Sequence, residues 1–172
     1  MTTLNKFHWF WAWNDEEEEV WLREMSQKGW HFKSVSGFGN YSFEKGEPTE
    51  YVYRLDHFID PKNQDHYLQL FEDSGWDHMG EMGGWQYFRK EAGKGEDPVI
   101  YNDNDSKRKK YGHIMLILVI FLPLFLNIIM IISKAKNIFM QVITLLVFSL
   151  FAVYIYAMIK LLQRIIKLKK KI

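Results

Sequence analysis

Two long uncharged runs stand out in the pattern of hydrophobic and polar positions. Ile114 to Ile132 is a run of 19 residues without a charge, and Ile138 to Ile159 is a second of 22. About 20 apolar residues cross a bilayer as a helix, so each run is long enough. Ser133 to Asn137 between them can only turn the chain back, which makes the two helices antiparallel neighbours. Ahead of the runs the pattern is that of a soluble domain. Phe7, Trp9, Trp11 and Trp13 alternate with their neighbours and predict one face of a strand. Asn14 and Glu17 have the spacing of a capping box, and Asp15 to Glu19 put acids at the positive end of a helix dipole. That helix runs to about Lys28 and is expected to bury Val20, Trp21, Leu22 and Met25. Gly29 suits the left-handed position that ends it. Trp30 to Val35 and Tyr41 to Lys45 read as a hairpin about Gly37 to Asn40.

The same order then returns. Tyr51 to Leu55 is a strand, and Asp60-Pro61 starts a helix with Pro at its first position. The helix carries Tyr67, Leu68, Leu70 and Phe71 and ends at Gly75. Trp76 to Glu81 and Trp85 to Lys90 form a second hairpin about Gly83-Gly84. The pairs Gly29-Trp30 and Gly75-Trp76 stand 46 residues apart. At that offset Trp21 meets Tyr67, Leu22 meets Leu68 and Met25 meets Phe71; with a slip of one, Phe43 and Lys45 meet Phe88 and Lys90. One period occurring twice reads as a duplication. The expected fold class is α+β: a duplicated strand-helix-strand-strand soluble domain followed by a two-helix transmembrane hairpin. The expected boundaries are 1–91 for the domain (repeats about 6–46 and 50–91) and 92–110 for a linker and basic juxtamembrane collar. The hairpin takes 111–160 and a basic tail 161–172. Within the linker, Val99 to Tyr101 reads as a short edge strand, and Asp105 or Ser106 as the cap of the first long helix.

Charge divides the chain. Residues 1–106 carry a net −11 and residues 107–172 a net +12, with no acid in the second part. Lys107, Arg108, Lys109 and Lys110 precede the first run, and Lys160, Arg164, Lys167, Lys169, Lys170 and Lys171 follow the second. The turn between them holds only Lys134 and Lys136. By the positive-inside rule this predicts a multi-pass cell-membrane protein with both termini, and the soluble domain, in the cytoplasm. The N-terminus offers no signal peptide. Lys107, Arg108, Lys109, Lys110, Arg164, Lys167 and Lys169 are expected to contact anionic lipid headgroups. An acidic domain repels nucleic acid, so no nucleic-acid partner is expected. Pro123 should kink the first helix, and Asn127 and Thr144 should meet in an interhelix hydrogen bond at similar depth. Tyr111, Tyr154 and Tyr156 fit an interfacial belt.

The chemistry is sparse. The absence of Cys excludes disulfides and thiolate metal sites. His8, His31, His57, His66 and His78 lack metal-ligand spacing, and no nucleophile elbow or phosphate loop is present. Neither an enzyme nor a cofactor is expected. All seven Trp lie in the soluble domain. They read most simply as core. Alternatively some line a cavity which, with a carboxylate such as Glu24 or Asp56 nearby, would suit a cationic amphiphile. The contact residues would then be Trp9, Trp11, Trp13, Trp30, Tyr53, Arg54, Trp76 and Trp85. The expected function is a membrane-anchored cytoplasmic binding or regulatory module that senses an amphipathic ligand or a membrane state, or tethers a regulator. The alternative is a non-catalytic accessory subunit of a larger membrane protein such as a transporter. The partners in view are membrane lipids, a small amphipathic ligand and a protein, either a membrane protein or a regulator.

Several blocks resemble a known family. They are Lys6-Phe7, Trp11 to Glu16, Trp21-Leu22 with Met25, Lys28 to Trp30, Tyr41 to Pro48, Tyr51 to Asp56, Gly75-Trp76 and Gly84 to Lys90. The resemblance, over about residues 6–111, is to the family catalogued as domain of unknown function 2812. It implies a small membrane protein of Gram-positive bacteria, a soluble domain joined to hydrophobic C-terminal segments, often encoded beside a PadR-type repressor. It brings no activity and no functional residue. The duplicated order is also similar to the GyrI-like small-molecule-binding fold, and a fold does not fix a function.

Overall fold

The structure is a computed structural model that describes residues 2–37, 39–93, 104–134 and 137–169. The edge strand expected at Val99 to Tyr101 lies outside the described residues, as do the side chains of Asp105 and Ser106 and all of Lys136, Lys170 and Lys171. The chain forms two compact units, Met1–Asn102 and Asp103–Ile172.

The first unit runs β1 Thr3–Phe7, α1 Asp15–Gln27, β2 Trp30–Ser36 and β3 Asn40–Lys45, then β4 Tyr51–His57, α2 Gln64–Asp73, β5 Asp77–Met82 and β6 Trp85–Glu91. Each half closes its own three-stranded antiparallel sheet, ordered β1-β3-β2 and β4-β6-β5. The duplication extends to the irregularities. A bulge lies between Phe32 and Ser34 in β2 and between His78 and Gly80 in β5, the same offset of 46. Lys45 Nζ donates to the Lys28 carbonyl at 3.1 Å and Lys90 Nζ to the Ser74 carbonyl at 2.8 Å. Each carbonyl is the C-cap of its half's helix, where a cation suits the dipole. The one-residue slip comes from the hairpins. The first closes Ser36 on Asn40 and the second Met82 on Trp85, one residue shorter. Gly83 and Gly84, at φ 60° and 85°, supply the two positive φ values that the shorter turn needs.

Two clusters form the core. Leu22, Met25, Phe32, Tyr41 and Phe43 pack with Tyr53, Leu55 and Tyr87 of the second half. Val52, Tyr67, Phe71, Trp76 and Phe88 make the other. Alternation along β4 sends Tyr53 and Leu55 into the first cluster and Val52 into the second. The first cluster thus ties the halves together, and each buried large side chain contributes about 1.5–3 kcal/mol. Helix α1 also serves β4 with polar groups. Glu19 Oε1 accepts from the Leu55 N–H at 2.8 Å and its Oε2 from Arg54 at 3.3 Å. Two turns on, the buried Ser26 Oγ accepts from the Tyr51 N–H at 3.4 Å. Helix α1 thus adds a side-chain acceptor to a strand N–H at two positions, and the Tyr51 N–H also donates to the Thr49 carbonyl at 3.2 Å.

Some expectations are corrected here. The strand expected over Phe7 to Trp13 ends at Phe7, because its partner β3 begins at Asn40 and offers no further pairing. Val20 is 57% exposed. The buried line of α1 is Asp15, Glu18, Leu22, Met25 and Ser26, and Val20 falls on the opposite face. Leu70, at the flank of the Tyr67 and Phe71 line on α2, is exposed as well. Asn14 does precede α1, but its amide turns to the Glu17 carboxylate at 2.6 Å instead of capping the backbone. Asp60 accepts from the Lys62 N–H and the Asn63 amide, which holds residues 60–63 in a turn and delays α2 to Gln64.

The second unit is α3 Asn104–Ile132 and α4 Ile138–Lys169, both long and apolar enough to cross a membrane. The most apolar stretch of each is unburied. Lys107 to Lys110 lie in α3, and Arg164, Lys167 and Lys169 lie in α4, so these basic residues belong to the helices themselves. Across the pair, Tyr154 donates to the Leu118 carbonyl, Phe125 stacks on Phe151 at 5.6 Å, and the Arg164 guanidinium lies 5.8 Å from the Tyr111 ring. The expected Asn127–Thr144 bond does not form. Thr144 faces Ile132, whose carbonyl accepts from it at 3.3 Å, and it also bonds the Met140 carbonyl at 2.7 Å. Asn127 therefore lies about 7 Å further from the turn. It satisfies its amide on the Pro123 carbonyl at 2.9 Å, four residues back.

Candidate functional site

A cavity of about 130 Å³ opens between the halves of the first unit. Its making starts at the end of β1. The His8 N–H donates to the Gly39 carbonyl at 2.9 Å, and a Cβ on Gly39 would stand 2.2 Å from the His8 carbonyl oxygen. Only glycine permits that approach, and its φ of 95° demands glycine as well. The chain then leaves the sheet. Phe10 turns inward to pack on the first cluster, stacked on His8 at 4.3 Å. Trp9 and Trp11 are left 45% and 40% exposed, edge to face at 5.5 Å, as one wall. The second half supplies Leu55, Met82, Trp85 and Tyr87.

Acids from the first turn of α1 line the cavity too. Asp15 is 3% exposed and Glu18, one turn on, 6%. The hydroxyls of Tyr41 and Tyr87 both donate to Glu18 Oε1, at 2.7 and 2.8 Å. Burial pushes the Glu18 carboxyl above the usual carboxylate range. The two tyrosine donors pull it back, and the charge of Asp15 pushes it up again. Burial, together with the Glu18 charge, raises Tyr41 and Tyr87 well above an ordinary phenol, so both remain donors. The arrangement is an anionic floor beneath π faces, a setting that favours cations over neutral or anionic groups.

Of the residues singled out in the sequence, Trp9, Trp11 and Trp85 come together here. Trp13 stacks on Trp11 at 5.1 Å without lining the cavity. Trp30 packs on the first cluster with Lys45 4.7 Å from its ring. Trp76 is buried in the second cluster. Tyr53 is buried beside the Phe32 N–H, and burial pushes its hydroxyl up to about 12. Arg54 is committed to Glu19. The carboxylates expected near the aromatics are elsewhere. Glu24 is exposed 3.8 Å from Lys28, and Asp56 accepts from Tyr67 at 3.0 Å and from its neighbour His57. The residues that sequence reasoning missed are Asp15, Glu18, Tyr41 and Tyr87. Their signal was present: Asp15 and Glu18 fall on the helical line of Leu22 and Met25. Among the described residues, no group of three His, Asp or Glu could hold a metal ion.

Residues 14–122 match the family described as protein of unknown function (DUF2812). The match takes in Asp15, Glu18, Tyr41 and Tyr87, begins after Trp9 and Trp11, and runs into the apolar part of α3. No curated protein and no solved structure matches the chain.

Proposed function

Since the chain belongs to the DUF2812 family, whose description names no reaction, we propose its function from the cavity. It is a membrane-anchored binding module that seats the cationic head of an amphipathic molecule between its two halves. One observation carries this reading: Glu18, 6% exposed, lies at an aromatic-walled cavity that Trp9, Trp11 and Trp85 frame. A buried carboxylate is costly without a counter-charge. An organic cation supplies that charge and gains about 0.5–2 kcal/mol from each ring it faces. The cavity, at about 130 Å³, is smaller than the roughly 300–1,000 Å³ of sites that enclose a drug-sized ligand. It takes a head group and leaves the tail outside.

The apolar runs of α3 and α4 cross the cell membrane, with both ends and the binding unit in the cytoplasm. Ten flanking Lys and Arg against two in the turn support that sidedness. The basic residues of α3 and α4 that flank the runs meet anionic headgroups there. The test of the binding reading is a thermal melt of the full chain in detergent, followed by tryptophan emission. Every Trp lies in the first unit, so the signal reports that unit alone. Aromatic cations should raise the midpoint by several degrees and saturate, while neutral isosteres and carboxylates leave it unchanged. A panel of cations with no effect would refute the cavity and favour an accessory subunit.

A further inference from the structure

Resting on the cavity reading, we infer that the head it takes is a protonated amine that donates an N–H to Glu18 Oε2, and not a quaternary ammonium. Both tyrosine hydroxyls donate to the same oxygen, Oε1. They come from different strands, Tyr41 on β3 and Tyr87 on β6, and so fix the carboxylate from two sides. Among the described residues nothing donates to Oε2, although Glu18 is 6% exposed and lines the cavity. That oxygen is not among the buried unpartnered atoms and so stays open to the cavity. A carboxylate offers about four acceptor positions, and a bound head that displaces water from Oε2 without supplying a donor leaves it unpaired at a cost. A protonated amine answers both needs at once, with an N⁺–H···O⁻ distance of about 2.7–2.9 Å. A quaternary ammonium answers only the charge. Its methyl groups hold the nitrogen away and present no N–H, and a site built to receive a hydrogen bond discriminates strongly against a ligand that lacks the donor. The rings of Trp9, Trp11 and Trp85 accept either cation, so selectivity falls to Glu18.

The experiment compares two probes that differ by one methyl group, benzyldimethylamine (protonated at pH 7) and benzyltrimethylammonium. Each is titrated calorimetrically into the full chain in zwitterionic nanodiscs. The amine should bind at least about tenfold more tightly. In Glu18→Gln that preference should vanish, with the ligand-free variant still melting cooperatively by tryptophan emission. If the variant does not fold, the wild-type comparison decides alone. Equal affinity of the two probes for wild type would overturn the amine inference and leave the cation cavity standing. Binding of neither would overturn both.

Discussion

Glu18 is held in a setting that disfavours its charge, and this has a measurable sign. Its folded pKa lies above the unfolded value near 4.5, because burial outweighs the two tyrosine donors. The folded state therefore binds the proton more tightly than the unfolded chain. The penalty is complete above the folded pKa, shrinks as pH falls through it, and is gone below about 4.5. Gln keeps an acceptor for Tyr41 and Tyr87 and removes the charge. Glu18→Gln should thus raise the melting temperature at pH 7, and its advantage over wild type should fade toward pH 4.5. A variant less stable than wild type at pH 7 would show that the carboxylate serves the fold. The comparison must be made between the two proteins at each pH, since Glu44, lowered by Lys33, contributes in the opposite direction. At this scale the sequence was least legible. Asp15 to Glu19 are five consecutive acids that suit the helix dipole alike, yet the helix turns Asp15 and Glu18 inward and leaves Glu17 outside. The partner hydroxyl of Tyr87 is 69 residues away, and no local pattern announces it.

At the scale of elements, repetition made the fold readable. A helix ended by glycine, followed by a tryptophan and a hairpin, occurs twice, and both sheets close in the same order. Periodicity named the buried Leu22, Met25, Tyr67 and Phe71. It failed where an element lacks a partner: the Trp9 to Trp13 alternation has the strand period, but β3 has no residues left to pair with it. It was silent on the way α1 serves β4. Removing the Glu19 carboxylate takes an acceptor from the Leu55 N–H and the ion pair from Arg54. Glu19→Ala should cost about 1–3 kcal/mol in denaturant unfolding. Glu24→Ala, which breaks an exposed pair with Lys28, should cost less than about 0.5 kcal/mol. Equal costs would mean that the contact of α1 with β4 contributes little.

For the whole molecule, helices of 29 and 32 residues are about 44 and 48 Å long, against a hydrocarbon core of about 30 Å. Both exceed the apolar runs on the side where Lys107 to Lys110 and Arg164 lie, and Arg164 over Tyr111 joins them there. Counting residues from the turn found the hairpin but missed its register, because the turn seats Thr144 opposite Ile132 and not opposite Asn127. The central claim is that an organic cation reaches a cavity on the cytoplasmic face. A membrane-impermeant, photoreactive benzylammonium probe tests it most directly, applied to inside-out and to right-side-out vesicles carrying the full chain, with the cross-links mapped by mass spectrometry. The account predicts labels on Trp9, Trp11, Met82 or Trp85 in inside-out vesicles only, suppressed by excess unlabelled amine. Labels at those residues from the outer face, or labels confined to α3 and α4, would contradict it.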